Sequence, residues 1–242
     1  MSVFAFTARP LPRQIGEMES LQKRKVRGEE INRILAQVYP NAKCSLDFKS
    51  PFQLVAATIL SAQCTDERVN MVTPALFKRC PTPQKLADIW DEELEDIVRT
   101  TGFFRNKSKS LKGMAAGLLE KFGGKVPHTM EDLRQLPGVG RKTANVVLGN
   151  CFDTPGLTID THMNRVNRRL GLTRHEDPEK IELDLMKVIP QSEWTNYSHR
   201  IIYHGRAICQ ARKPLCERCP VNHLCEYYLK FQKAAGRLST KR

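Results

Sequence analysis

The 242-residue chain lacks any long hydrophobic run. Its most apolar stretch, residues 52–60, is nine residues long and interrupted by Gln53, whereas a membrane span needs about 20. A transmembrane protein is therefore excluded. The first ten residues carry Arg9 as their only charge, and no apolar segment of secretory type follows, so no export signal is expected. Strands are missing as well: there is no convincing period-2 alternation and no Asn-Gly hairpin signal. No repeat of fixed period is present, which excludes solenoids. Acid is the scarce charge, with 26 Asp and Glu against 39 Lys and Arg and a net charge of +13.

What is present is helical periodicity. Ile31, Ile34, Leu35 and Val38 fall at i, i+3, i+4 and i+7. Ser50-Pro51 reads as an N-cap followed by Pro in the first turn. A helix from Asp66 should be broken or restarted at Pro74. Two short helices fit residues 84–100, and a long one fits 105–122, stopped by Gly123-Gly124. Thr129 with Asp132 resembles a capping box. Asp177-Pro178 should open a helix running to about residue 189, and another should cover 195–208. The fold class is all-α. The six acids of residues 88–96 read as a solvent-facing helix turned away from any polyanion.

The positive charge is uneven. Residues 1–28 hold six Lys or Arg against two Glu, and residues 230–242 hold five against none. Such ends read as solvated basic arms, and basic excess points to nucleic acid as partner. The eight cysteines divide into four scattered ones (Cys44, Cys64, Cys80, Cys151) and a cluster, Cys209, Cys216, Cys219 and Cys225. Without export, the cluster reads as a metal site rather than as disulfides. Its spacing, Cys-x6-Cys-x2-Cys-x5-Cys, fits zinc or an iron–sulfur cubane about equally well. Its first loop places Arg212 and Lys213 on a projecting turn suited to phosphate.

The segment Leu-Pro-Gly-Val-Gly-Arg-Lys-Thr-Ala at 136–144 places two glycines between helices. The amides of Gly138, Val139, Gly140, Arg141 and Lys142 could form a phosphate nest at a helix N-terminus. The alternative is a tight helix–helix turn. Residues 133–175 carry seven Lys or Arg against Asp153 and Asp160. Backbone contacts of this kind position duplex DNA without reading its sequence. Lys142 lies in the first turn of the helix, where the dipole and Arg141 disfavour an ammonium and burial would add to the effect. A partly neutral lysine can form a Schiff base. Asp160, in Thr-Ile-Asp-Thr-His (158–162), is an expected N-cap, and capping leaves room for a catalytic role.

Taken together, the hairpin, the Asp eighteen residues beyond Lys142 and the four-cysteine pattern resemble the endonuclease III family, as do Ile59-Leu-Ser-Ala-Gln-Cys-Thr-Asp66, Gly102-Phe-Phe-Arg-Asn-Lys107 and His204-Gly-Arg206. The resemblance covers roughly residues 29–228. It implies two helical lobes with damaged double-stranded DNA between them. A six-helix lobe would span 44–154, and a cluster lobe would join 28–43 to 155–230. Residues 1–27 and 231–242 would be a basic extension and a basic tail without fixed structure. It further implies a [4Fe-4S] cluster on the four cysteines and a bifunctional glycosylase and lyase of base excision repair acting on oxidised pyrimidines. Lys142 would be the nucleophile and Asp160 its assistant. Gln63, Phe103 and His162 would fill the space left by a flipped nucleotide or wedge the duplex. Phe103 and Cys64 depart from the family pattern, where Leu and Ala are usual. The rivals are an adenine-specific mismatch glycosylase, which usually lacks the lysine and carries a further domain, and a non-catalytic DNA-binding module. A monomer in the cytoplasm, at the nucleoid, is the expected setting.

Overall fold

The computed structural model describes residues 19–234 and 236, and the parts of both basic arms beyond them lie outside the described residues. Helices follow one another as α1 (Leu21–Val38), α2 (Pro51–Leu60), α3 (Asp66–Arg79), α4 (Pro83–Asp88), α5 (Asp91–Val98), α6 (Phe104–Phe122), α7 (Met130–Leu133), α8 (Arg141–Cys151), α9 (Thr161–Leu170), α10 (Pro178–Met186), α11 (Trp194–Ala207) and α12 (Glu226–Ala234), with no strand among the described residues. No helix among them is long and apolar enough to cross a membrane.

The caps explain most boundaries. Ser50 accepts from the Gln53 amide ahead of Pro51, Thr65 from Arg68, Thr129 from Asp132, and Asp177 from Lys180. Thr129 Oγ1 also donates to Asp132 Oδ2 at 2.8 Å. Gly123 and Gly124, at φ +57° and +78°, stop α6.

Four expectations need correction. Pro74 does not break α3, which runs through it to Arg79. Val69, Val72, Thr73 and Leu76 are buried on either side of it, and that burial outweighs the roughly 3 kcal/mol that an internal proline costs. Helix α10 ends at Met186, and residues 187–189 wind down in turns onto Asp184 and Leu185. Residues 21–27 of the N-terminal arm belong to α1. Ser20 caps α1, and Arg27 donates to the carbonyls of Leu170, Gly171 and Leu224 while pairing with Glu19. At the other end, α12 continues through residues 231–234.

The side chains bury into two separate cores. One joins α2 through α8 and is built around Leu54, Leu60, Leu94, Leu111, Met114 and Leu118. Six of its helices have six residues or more, and α7 is a single turn. The other joins Ile31 and Leu35 of α1 to Met163, Val166, Leu185, Tyr197 and Ile201. The halves meet through close approaches. A Cβ on Gly149 would collide with Thr195 Oγ1, and one on Gly156 would stand 2.6 Å from Asn145 Oδ1. The neutral ring of His199 donates from Nε2 to Asn150 Oδ1 at 3.0 Å. Arg206 reaches from α11 to Asp66 at 2.6 Å and to Ser45 at 3.1 Å. A cleft of about 2250 Å³ opens along this seam.

Candidate active site

The cleft brings Gln63, Lys142, Asp160 and His162 onto one wall system, together with Cys64, Arg165, Tyr203 and Arg206. Phe103, the 138–141 hairpin, Arg212 and Lys213 do not line it.

Lys142 is the second residue of α8, after the N-cap Gly140, and is exposed. The burial expected for its amine is therefore not found in the protein alone. The charge expected beside it is also offset. Arg141 forms a two-pronged ion pair with Glu182 of α10, Nε–Oε2 2.6 Å and Nη2–Oε1 3.0 Å. Glu182 is only 3% exposed. The Arg141 guanidinium is thus held by the other half of the molecule.

The hairpin is likewise more specific than its sequence. Gly138 has φ +77°, and a Cβ there would lie 2.8 Å from Ser110 Cβ. Gly140 instead has an ordinary extended conformation and nothing within 4 Å of an added Cβ, so it leaves an open surface. Val139 lies beneath that surface. Its side chain is buried, and its amide donates to the Leu136 carbonyl at 3.1 Å. The orphan amides of a helix start remain those at 140–143, because the first intrahelical bond here runs from Ala144 to Gly140. Gly113 and Gly117 of α6 seat Pro137 and Leu136 beneath the turn, at 2.9 and 3.1 Å from added Cβ atoms.

Asp160 caps α9 through Oδ1, which accepts the Met163 amide at 2.7 Å. The cap aims the carboxylate at the cleft that Asp160 lines, and its other oxygen has no role in that bond. Within the first turn of the same helix, His162 is half-buried, with Nδ1 accepting from Arg165 Nη2 at 3.0 Å. Burial holds its imidazole below the usual histidine range, assisted by Arg165 and Arg206 and opposed by Asp160 and Asp66. The ring is neutral and offers Nε2–H.

Gln63 and Phe103 share an unusual conformation. They are two of the three non-glycine residues with positive φ among the described residues, at +52° and +48°. Phe103 is 65% exposed, while its neighbour Phe104 packs on the core beneath Arg99 and Arg105. Non-glycine residues in this region cost about 1 kcal/mol or more and persist only where the surroundings impose them. For Phe103 one such constraint is Lys107, which is buried and donates from Nζ to the Thr101 carbonyl at 2.6 Å. Burial lowers its pKa.

The four cysteines Cys209, Cys216, Cys219 and Cys225 line one small cavity. No three His, Cys, Asp or Glu side chains among the described residues converge as ligands of a single ion. All four thiols nonetheless share this one cavity, so the donor set is four sulfurs. Donors face them: Arg169 Nη1 is 3.4 Å from Cys209 Sγ, and His204 Nε2 is 3.4 Å from Cys219 Sγ, with Tyr39 hydroxyl at 3.2 Å on Nδ1. N–H groups turned toward sulfur are the donor chemistry that a thiolate-held cluster requires. Arg169 also binds the carbonyls of Gln210 and Ala211 at 2.7 Å, pinning the loop that exposes Arg212 and Lys213.

Comparison with known proteins decides the family. Residues 56–191 match the HhH-GPD superfamily base excision DNA repair protein, and residues 209–225 match the iron-sulfur binding domain of endonuclease III. Endonuclease III of Synechocystis sp. is 55% identical over 209 residues, covering 86% of this chain and 95% of the relative. The chain belongs to the endonuclease III family. Endonuclease III of Bacillus subtilis is 41% identical over 192 residues, covering 79% and 88%. A solved structure of a trapped endonuclease III–DNA covalent intermediate superposes with a TM-score of 0.82 at 42% identity, covering 89% of this chain and all of that one. The chain is a bifunctional DNA glycosylase and abasic-site lyase of base excision repair, and its cofactor is a [4Fe-4S] cluster.

The sequence missed several site residues. Glu182 and Asn145 are polar positions on otherwise buried helix faces, which was their one available signal. Arg165, Arg169 and Arg27 carried no local mark, since the carbonyls they bind lie 40 to 197 residues away in the chain.

Proposed function

We propose that Lys142 is the nucleophile and Asp160 its proton partner in the removal of oxidised pyrimidines from duplex DNA. The observation that carries this reading is the placement of an exposed first-turn lysine and a cap-oriented carboxylate on one cleft. Damage weakens pairing and stacking, so the lesion nucleotide is extruded at lower cost than a sound one. Gln63 and Phe103 enter the vacated duplex from strained loops, and such wedges kink DNA. Amides at 140–143 hold a phosphate beside the turn.

Lys142 Nζ attacks C1′ as the bond from C1′ to the base nitrogen breaks, and the base departs with the electron pair and takes up a proton. Asp160 accepts the proton that Lys142 sheds, or faces the positive charge that grows on the sugar. Opening of the sugar gives an iminium. Loss of a C2′ proton then expels the 3′ phosphate by breaking C3′–O, and water releases Lys142. Cys209, Cys216, Cys219 and Cys225 would hold the cluster, which would cross-link this segment at four points. Arg212 and Lys213, on the loop that Arg169 pins, offer cationic contacts to the DNA backbone.

The division into a lobe of residues 44–154 and a cluster lobe of 28–43 with 155–230 is supported by the two cores. We read the protein as a monomer acting in the cytoplasm at the nucleoid.

Borohydride trapping on thymine-glycol duplex tests the reading. A covalent adduct is expected with the natural enzyme and none with Lys142→Ala. Trapping that persists in folded, cluster-loaded Lys142→Ala would remove Lys142 as the nucleophile.

A further inference from the structure

The two proposed catalytic residues sit on different halves of the molecule, so something must fix their separation. Asn145 lies on α8, three residues beyond Lys142, and is 5% exposed. Its Nδ2 donates to the Leu157 carbonyl at 2.8 Å and to Glu182 Oε1 at 3.1 Å. Leu157 stands three residues before Asp160. Glu182 in turn grips Arg141, the residue preceding Lys142, and burial of this carboxylate is compensated by three donated hydrogen bonds. Gly156 completes the joint, since a Cβ there would stand 2.6 Å from Asn145 Oδ1.

From this joint we infer that Asn145 and Glu182 are positioning residues: a buried strut that sets the first turn of α8, and with it Lys142, against the segment that carries Asp160. The inference rests on the reading of Lys142 and Asp160 given above. Neither strut residue lines the cleft, so each acts through its neighbours. Misplacement of about 1 Å costs on the order of a hundredfold in rate. A broken strut should therefore slow the chemistry far more than it weakens DNA binding.

The test measures two quantities on cluster-loaded full-length protein. One is the single-turnover rate of borohydride trapping on an abasic duplex, normalised to the trappable fraction. The other is Kd for a duplex holding a tetrahydrofuran abasic analogue. Asn145→Ala and Glu182→Ala should lower the rate tenfold or more and leave Kd within threefold. Glu182→Gln, which keeps the shape and an oxygen acceptor for Asn145 Nδ2 and Arg141 Nη2 but loses the bond from Arg141 Nε, should recover part of the rate. A strut that merely stabilised the fold would lower melting temperature and active fraction while the normalised rate stayed within twofold, and that result overturns the proposal. Gly156→Ala carries the same test if an alanine variant at 145 or 182 fails to fold, because its methyl group displaces the joint from the other side. Lys142→Ala is run in parallel. Loss of trapping there combined with normal rates in the strut variants refutes the strut alone, whereas trapping by Lys142→Ala refutes the underlying reading.

Discussion

Replacing Gly138 by Ala perturbs the hairpin in two separable ways. At φ +77° an L side chain pays about 1 kcal/mol of backbone strain. The new methyl group also stands 2.8 Å from Ser110 Cβ and 3.5 Å from Ile59 Cδ1, and forcing a shift of packed atoms costs about 1–3 kcal/mol. The expected loss is thus about 2–4 kcal/mol, a large part of a typical folding free energy of about 5–15 kcal/mol. Urea unfolding of Gly138→Ala, Ser110→Gly and the double variant separates the parts. Removing Ser110 Cβ relieves the clash but not the strain, so the coupling should equal the steric share and about 1 kcal/mol should remain. The same turn sets the amides at 140–143, so affinity for undamaged duplex should fall, and the slope of log K against log salt should flatten by about one for each phosphate that is no longer bound. Zero coupling, or a Gly138→Ala variant as stable as the natural enzyme, would refute the reasoning.

Asp160→Asn should retain the α9 cap, because Asn caps as well as Asp. Stability should stay within about 0.5 kcal/mol and damaged-duplex affinity should persist, while base release measured under single turnover falls by two orders of magnitude or more. Phe103→Ala should leave the melting temperature nearly unchanged, since the lost ring is exposed and the strained backbone keeps a Cβ. Its effect should appear as weaker lesion extrusion, read by the fluorescence of 2-aminopurine placed beside the damage. His199 gives a pH prediction. Burial pushes its imidazole down to about 4 in the folded protein, against about 6.5 when unfolded. Below pH 6.5 the unfolded chain binds the extra proton, so stability declines as pH drops from 6.5 toward 4, by up to about 3 kcal/mol. His199→Gln should remove that part of the slope in acid denaturation curves; an unchanged slope would assign it elsewhere.

The elements governed by neighbours in the chain were legible in the sequence. The caps Ser50, Thr129 and Asp177, the stop at Gly123-Gly124, and the turn before Arg141 act over three or four residues, and composition exposes them. Pro74 shows the opposite case: local propensity argued for a break, and burial of Val72 and Leu76 in the first core overrode it. The start of α1 escaped because its anchor, Arg27, bonds to carbonyls 143 to 197 residues away. For the site, the meeting of Lys142 and Asp160 on one cleft and the gathering of the four cysteines were legible from spacing and family resemblance together. The state of Arg141 was not, since nothing near position 141 announces a buried acid at 182. Val139 looked available in the hairpin, yet its apolar side chain anchors that hairpin from below.

The second core has a consequence for biosynthesis. Helix α1 leaves the ribosome ahead of the other described helices, yet Ile31, Leu35 and Arg27 find their partners in α9, α11 and the turn at Asn222–Leu224. The nascent chain must therefore carry an unmated amphipathic helix until nearly all later described residues have emerged. Iron loading comes later still, because Cys225 is among the last described residues to be translated, and a polypeptide truncated short of it would lack the fourth thiol.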